Sequence, residues 1–174
     1  IDYTLRSIDI LNLHSYILKN IEDEYAGRLR NGGVRIVGAN FTPPSAKKVP
    51  DLLDELVAFI NDNPLSVDDL ILATLFHHKL VWIHPFFDGN GRTVRLSMNL
   101  LLMRCGFPPA IILKNDRKKY YEALNQANSG NYQKLIFHFF QTMMLDKFHF
   151  CIIPLFGNLS EHKIEQCKSQ LYCK

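Results

Sequence analysis

From Leu70 to Ile83 the chain reads LILATLFHHKLVWI, a segment apolar on nearly every side of a helix. A helix with no polar face has to be covered all round by other elements, so this one lies at the centre of a core. The rest of the sequence supplies the cover at the same 3.6-residue period. A first helix starts near Ser7 and runs to about Leu18, with Ile8, Leu11 and Leu18 on one side. A second begins around Pro50, which suits a first-turn position, and carries Leu52, Leu53, Leu56, Val57 and Ile60 before Pro64 stops it. The central helix follows Ser66, whose hydroxyl can cap, with Asp68 and Asp69 suited to the first turn. A fourth runs from near Asn90 to about Arg104, ended by Gly106 and Pro108-Pro109. A fifth spans roughly Asp116 to Asn128, and a sixth carries Leu135, Ile136, Phe139, Phe140 and Met143. The expected class is all-α, a compact helical bundle.

One stretch breaks the helical pattern. Residues 27–38 place Asn31-Gly32 between short β-prone segments, the strongest local signal for a hairpin. It carries few apolar residues, so it is expected to stand out on the surface with an exposed edge, and Pro43-Pro44 ends it. The tail beyond Pro154 shows no pattern. Residues 1–150 are therefore read as one domain and 151–174 as a C-terminal tail.

Composition narrows the class without naming it. The 174 residues are 47% hydrophobic and 21% charged, ordinary for a globular domain, and a net charge of +3 makes no case for nucleic acid. No apolar stretch approaches the roughly 20 residues of a membrane span. The first residue is Ile1, so the chain reads as a piece of a longer protein; it shows no signal-peptide pattern. Cys105, Cys151, Cys167 and Cys173 lack paired zinc spacing. Cys105 sits in an apolar helix and reads as core; the other three lie in the tail. Asn40-Phe41-Thr42 and Asn158-Leu159-Ser160 fit a glycosylation sequon that chance produces often.

The chemistry concentrates in His84-Pro85-Phe86-Phe87-Asp88-Gly89-Asn90-Gly91-Arg92-Thr93-Val94-Arg95. A buried helix ends at His84, and two glycines with an Asn lead into the next helix. Glycine lets backbone N–H groups approach a ligand, and the free N–H groups of a helix N-terminus bind anions. Arg92 and Arg95 fall in the first turns of that helix, where each cation opposes the helix dipole by roughly 0.3–1 kcal/mol. A polyanion such as a nucleoside triphosphate reverses that sign. Asp88 can hold Mg²⁺ through one carboxylate while phosphates supply other oxygens. His84 can take a proton near neutral pH. A zinc site of His77, His78 and His84 is disfavoured, since i and i+7 lie about 10 Å apart along a helix.

HPFFDGNGRTVR matches the Fic family motif HPFx(D/E)GNGRxxR at every defined position, and the resemblance extends from about Ile10 to about Leu145. Within the family the chain looks most like the animal endoplasmic-reticulum enzymes, through AGRLR, Pro43-Pro44, KLVWIHPF, Tyr120-Tyr121 and Asn128; bacterial members share the core. The resemblance implies a protein adenylyltransferase of Fic fold, with ATP as co-substrate and Mg²⁺. It makes His84 the general base for a Ser, Thr or Tyr hydroxyl. It makes Asp88 the Mg²⁺ ligand and Gly89, Asn90 and Gly91 the anion hole. Arg92 then grips the β-phosphate and Arg95 the γ-phosphate, with Thr93 and Val94 in the same nucleotide-binding stretch. Val34, Arg35, Ile36 and Val37 lie in the hairpin flap, which covers the nucleotide and docks the protein substrate by strand pairing. Tyr120, Tyr121 and Asn128 match positions lining the adenine and ribose pocket. A homodimer stands as an option. The compartment would be the reticulum lumen if the animal likeness holds, and a bacterial cytoplasm or secretion otherwise.

Two features depart from the family pattern. The flap is unusually glycine-rich, with Arg35 at its docking edge. No (S/T)xxxE(G/N) inhibitory helix occurs in the chain; in the reticulum-type enzymes it lies upstream of the hairpin, and its Glu supports AMP removal. The expectation is a stretch that adds AMP and removes it poorly. Alternatives are a Fic-fold transferase of UMP or phosphocholine, and a nucleotide-binding interaction module without turnover. Phosphate transfer goes with Lys in place of Gly91.

Overall fold

In a computed structural model of the chain, residues 4–64 and 66–144 are described. The tail cysteines Cys151, Cys167 and Cys173, the second sequon and the 151–174 boundary lie outside them. Six α-helices are present: α1 (Ser7–Leu18), α2 (Val49–Asp62), α3 (Asp69–Ile83), α4 (Asn90–Arg104), α5 (Arg117–Asn128) and α6 (Gln133–Met144). Single 3-10 turns precede α2 and α5. Each helix overlaps one expected from periodicity, and the described residues contain no strand. No helix among them is long and apolar enough to cross a membrane.

The chain divides into two compact units, Ile1–Pro64 with Leu75–Met98, and Leu65–Thr74 with Asn99–Lys174. In the first, α1 packs on α2. The buried face of α1 is Ile10, His14 and Leu18. This corrects the expected face, since Ile8 is half exposed. His14 occupies the i+4 position between two aliphatic residues, so a buried imidazole completes the apolar stripe. Helix α2 buries Val49, Leu53, Leu56, Val57 and Ile60 and ends with Asn63 in the left-handed region, just before Pro64. Every residue from 70 to 83 is buried or half-buried, as an all-round apolar helix requires. The first helical bond of α3 runs from Leu72 N–H to the Asp68 carbonyl, so the helix starts after Ser66 as expected, with Asp68 rather than Ser66 in the cap position.

In the second unit α5 packs on α6, with Tyr120 against Phe139 and His138. Cys105 lies in the turn after α4 and is exposed, which corrects the core assignment. Partial burial of the sulfur, with the charge and a hydrogen bond of Asp69, pushes its thiol pKa up.

The hairpin expectation is also corrected. Residues 27–38 form no ladder. Their anchor is a side chain, Arg30, only 2% exposed. Its guanidinium donates to the carbonyls of His84 (2.8 Å), Gly32 (2.9 Å), Pro44 (2.6 Å) and Ile83 (3.3 Å), and its backbone N–H donates to Pro85 O at 2.9 Å. Arginine's fixed fork of five donors can satisfy several carbonyls at once. The cation also sits against the last carbonyls of α3, where the helix dipole favours it. One buried cation thus does locally what cross-strand pairing was expected to do.

Candidate active site

Helix α3 stops at His84 because His84 takes up left-handed backbone (φ 49°) and Pro85 follows. That conformation costs a non-glycine residue roughly 1–2 kcal/mol. It is held from both sides: His84 N–H donates to Leu80 O at 3.1 Å, and His84 O accepts from Arg30 Nε. The imidazole is half-buried. Burial depresses its pKa, the Val81 carbonyl partly restores it, and the Arg30 cation lowers it further. Nδ1 is buried and makes no hydrogen bond of ordinary geometry, so the Val81 contact is weak. The ring is therefore kept neutral, the state a proton acceptor needs.

The turn after His84 is built from inside. Asn90 Oδ1 accepts from Phe86 N–H (3.0 Å), and Asn90 Nδ2 donates to Phe86 O (2.8 Å). The Asn90 side chain is thus a clamp on the loop. The first α4 bond runs from Thr93 N–H to Gly89 O at 2.9 Å, so the N–H groups of Asn90, Gly91 and Arg92 precede the helical ladder. Thr93 Oγ1 donates to the same carbonyl, and Thr93 and Val94 are buried. Their side chains support the turn. Arg92 is exposed and pairs with Asp88 Oδ2 at 2.9 Å. Arg95 lies back over the helix start, where a Cβ on Gly91 would come within 3.3 Å of its Nη1.

Gly89 sits at φ 72°, and a Cβ there would lie 3.1 Å from His14 Nε2. Since His14 is buried and hydrogen-bonded, it cannot swing away. Gly89→Ala should therefore destabilise the fold by roughly 1–3 kcal/mol, read from the urea midpoint, and weaken nucleotide binding.

Residues 33–37 alternate in exposure, with Val34 and Ile36 half-buried and Gly33, Arg35 and Val37 exposed. That is the period of an extended segment. Its lead lies beside the motif loop: a Cβ on Gly32 would touch Phe87 at 3.5 Å, and Tyr25 meets the Phe87 ring edge-on at 5.5 Å. Tyr120, Tyr121 and Asn128 belong to the other unit. There Tyr120 is buried at 5% exposure, Tyr121 is 58% exposed and Asn128 is half-buried. Sequence reasoning missed Arg30 and His14. The latter's pKa is lowered by burial, raised by the Asp88 carbonyl and carboxylate, and lowered by Arg92.

A model of the Fic/DOC family matches residues 4–102, more than half of the chain, and the chain belongs to that family. It is 42% identical over 129 residues to protein adenylyltransferase fic-1 of Caenorhabditis elegans, covering 74% of this chain and 25% of that protein. Identity to protein adenylyltransferase Fic of Nematostella vectensis is 46% over 133 residues, covering 74% of this chain and 30% of that protein. The chain thus spans between a quarter and a third of the length of these relatives. Among solved structures, Fic-1 of C. elegans (residues 134–508) superposes with TM-score 0.71 at 38% identity, covering 82% of this chain and 41% of that one. A Fic family protein of Desulfovibrio desulfuricans superposes with TM-score 0.68 at 25% identity, covering 93% and 56%.

Proposed function

We propose that the chain transfers AMP from ATP to a Ser, Thr or Tyr hydroxyl of a target protein. The observation that carries this reading is the pairing of a half-buried His84 with a helix start six residues on whose free N–H groups can bind an anion. The unladdered N–H groups of Asn90, Gly91 and Arg92, with the side chains of Arg92 and Arg95, form a site suited to a polyphosphate. The names of the relatives support adenylate as the group transferred.

In the reaction the target hydroxyl oxygen attacks the α-phosphorus, the bond to the bridging oxygen breaks, and pyrophosphate leaves with the electron pair. His84 takes the hydroxyl proton. Arg92 grips the β-phosphate and Arg95 the γ-phosphate, while the N–H groups hold the charge that develops on the transferring phosphate. The Asp88–Arg92 pair is half exposed, so giving it up costs about 0–1 kcal/mol. Arg92 is then free for phosphate and Asp88 for a metal.

No group of three or more acidic, His or Cys side chains forms a metal cage among the described residues. Mg²⁺ bound with a triphosphate needs only one or two carboxylates, so the exposed Asp88 fits it as sole protein ligand. When bound, Mg²⁺ supplies charge neutralisation between the phosphates. On the target side, the extended 33–37 segment suits main-chain pairing with an extended peptide. The family resemblance supports Tyr120, Tyr121 and Asn128 as nucleoside-binding residues, and of these Tyr121 presents the exposed ring.

The test is incubation with Mg²⁺ and ATP labelled on either the α- or the γ-phosphate, in lysate or alone. Label from the α-position should become covalently attached to protein. Transfer of γ-label, or transfer from UTP in preference to ATP, overturns the reading.

A further inference from the structure

His14 lies on α1, yet it meets the motif loop at three of its residues, Phe86, Asp88 and Gly89. Its ring stacks on Phe86 with centroids 3.6 Å apart and planes 3° from parallel. Its Nε2 lies 3.0 Å from Asp88 O, and the same atom closes over Gly89. Its Nδ1 lies 2.9 Å from Gly27 N–H, at the start of the segment that Arg30 anchors. The ring is fully buried, so both nitrogens have to be satisfied by protein. An amide N–H can only donate and a carbonyl can only accept. Nδ1 is therefore the acceptor and Nε2 carries the hydrogen, which fixes one neutral tautomer. The Asp88 main chain is held while its carboxylate remains exposed and paired with Arg92, so the held backbone fixes the point from which the carboxylate reaches out.

We infer that His14 is a positioning residue that acts through its Nε2–H bond to the Asp88 carbonyl, holding Asp88 where its carboxylate can meet the Mg²⁺ that accompanies the triphosphate. This rests on the proposed nucleotidyl transfer. Without the bond the turn samples more conformations, and the cost falls on capturing ATP with Mg²⁺ rather than on the step that moves the hydroxyl proton.

Three substitutions separate this role from plain packing. His14→Phe keeps the stack on Phe86 and loses both hydrogen bonds. His14→Asn puts a carbonyl near the Nδ1 position, retaining the bond from Gly27. His14→Gln puts an amide near the Nε2 position, retaining the bond to Asp88. Calorimetric affinity for ATP in Mg²⁺ should fall roughly tenfold in the Phe and Asn variants. It should stay within about threefold of the parent in the Gln variant. KM for ATP should follow affinity, while kcat changes little, and melting curves report folding. If Phe binds like the parent, or Gln is no better than Asn, the inference is overturned. Should one variant fail to fold, the order of the others still decides. If the parent itself binds no ATP, the transferase reading fails instead. The order of the Asp88 and Gly89 amides by NMR in nucleotide-free protein then tests His14 separately: Gln has to hold the turn and Asn has to lose it.

Discussion

His84→Ala should reduce AMP transfer by roughly 10²–10⁴-fold while ATP affinity stays near that of the parent, because the lost group acts on the hydroxyl proton and not on the phosphates. Single-turnover labelling separates the two quantities. The pH profile gives a sharper check. His84 has to be neutral to accept a proton, and burial with the Arg30 cation holds its pKa below the usual histidine value. Activity should therefore be flat down through the ordinary histidine range near pH 6.5 and fall only as pH drops through the depressed value. An acid limb in kcat/KM centred at or above the ordinary value would remove His84 from the role of base.

Arg30→Met should destabilise the protein by about 3 kcal/mol, since it strips a charged donor from four main-chain carbonyls, one in a buried and three in part-buried bonds. Urea denaturation measures this. Arg30→Lys keeps the charge but not the planar fork, so most of the loss should persist. The two variants differ in their effect on His84. Removing the cation takes away one of the causes that depress the imidazole, so the acid limb should move to higher pH in Met but much less in Lys. A common shift in both would show that loop geometry, not charge, controls the imidazole.

The helices were legible because each buries a face whose apolar residues repeat every three to four positions. The fourth helix was read from near Asn90 to about Arg104 and spans those residues. The motif was legible because its residues sit within twelve positions. What escaped reading were polar side chains whose partners are backbone groups far along the chain. Arg30 bonds carbonyls at 32, 44, 83 and 84, and His14 bonds Asp88, with no pattern connecting these positions. A signal did exist for His14, at i+4 from Ile10 and i−4 from Leu18. For Arg30 the only cue was a cation without an acidic neighbour in a glycine-rich stretch. The hairpin reading failed for the same reason: Asn31-Gly32 speaks only for its immediate neighbours, whereas Arg30 ties the segment to the end of α3.

That tie has an evolutionary consequence. Arg30 pins the chain at Gly32 and again at Pro44, so residues 33–43 form an arc with both feet fixed to the chemistry. Doubling the length of such an arc costs only about 0.6 kcal/mol in closure entropy. Insertions, deletions and rewritten side chains between the feet should therefore leave the 84–95 loop undisturbed. Descendants of this domain can redraft these eleven positions while the loop they are anchored to is inherited intact.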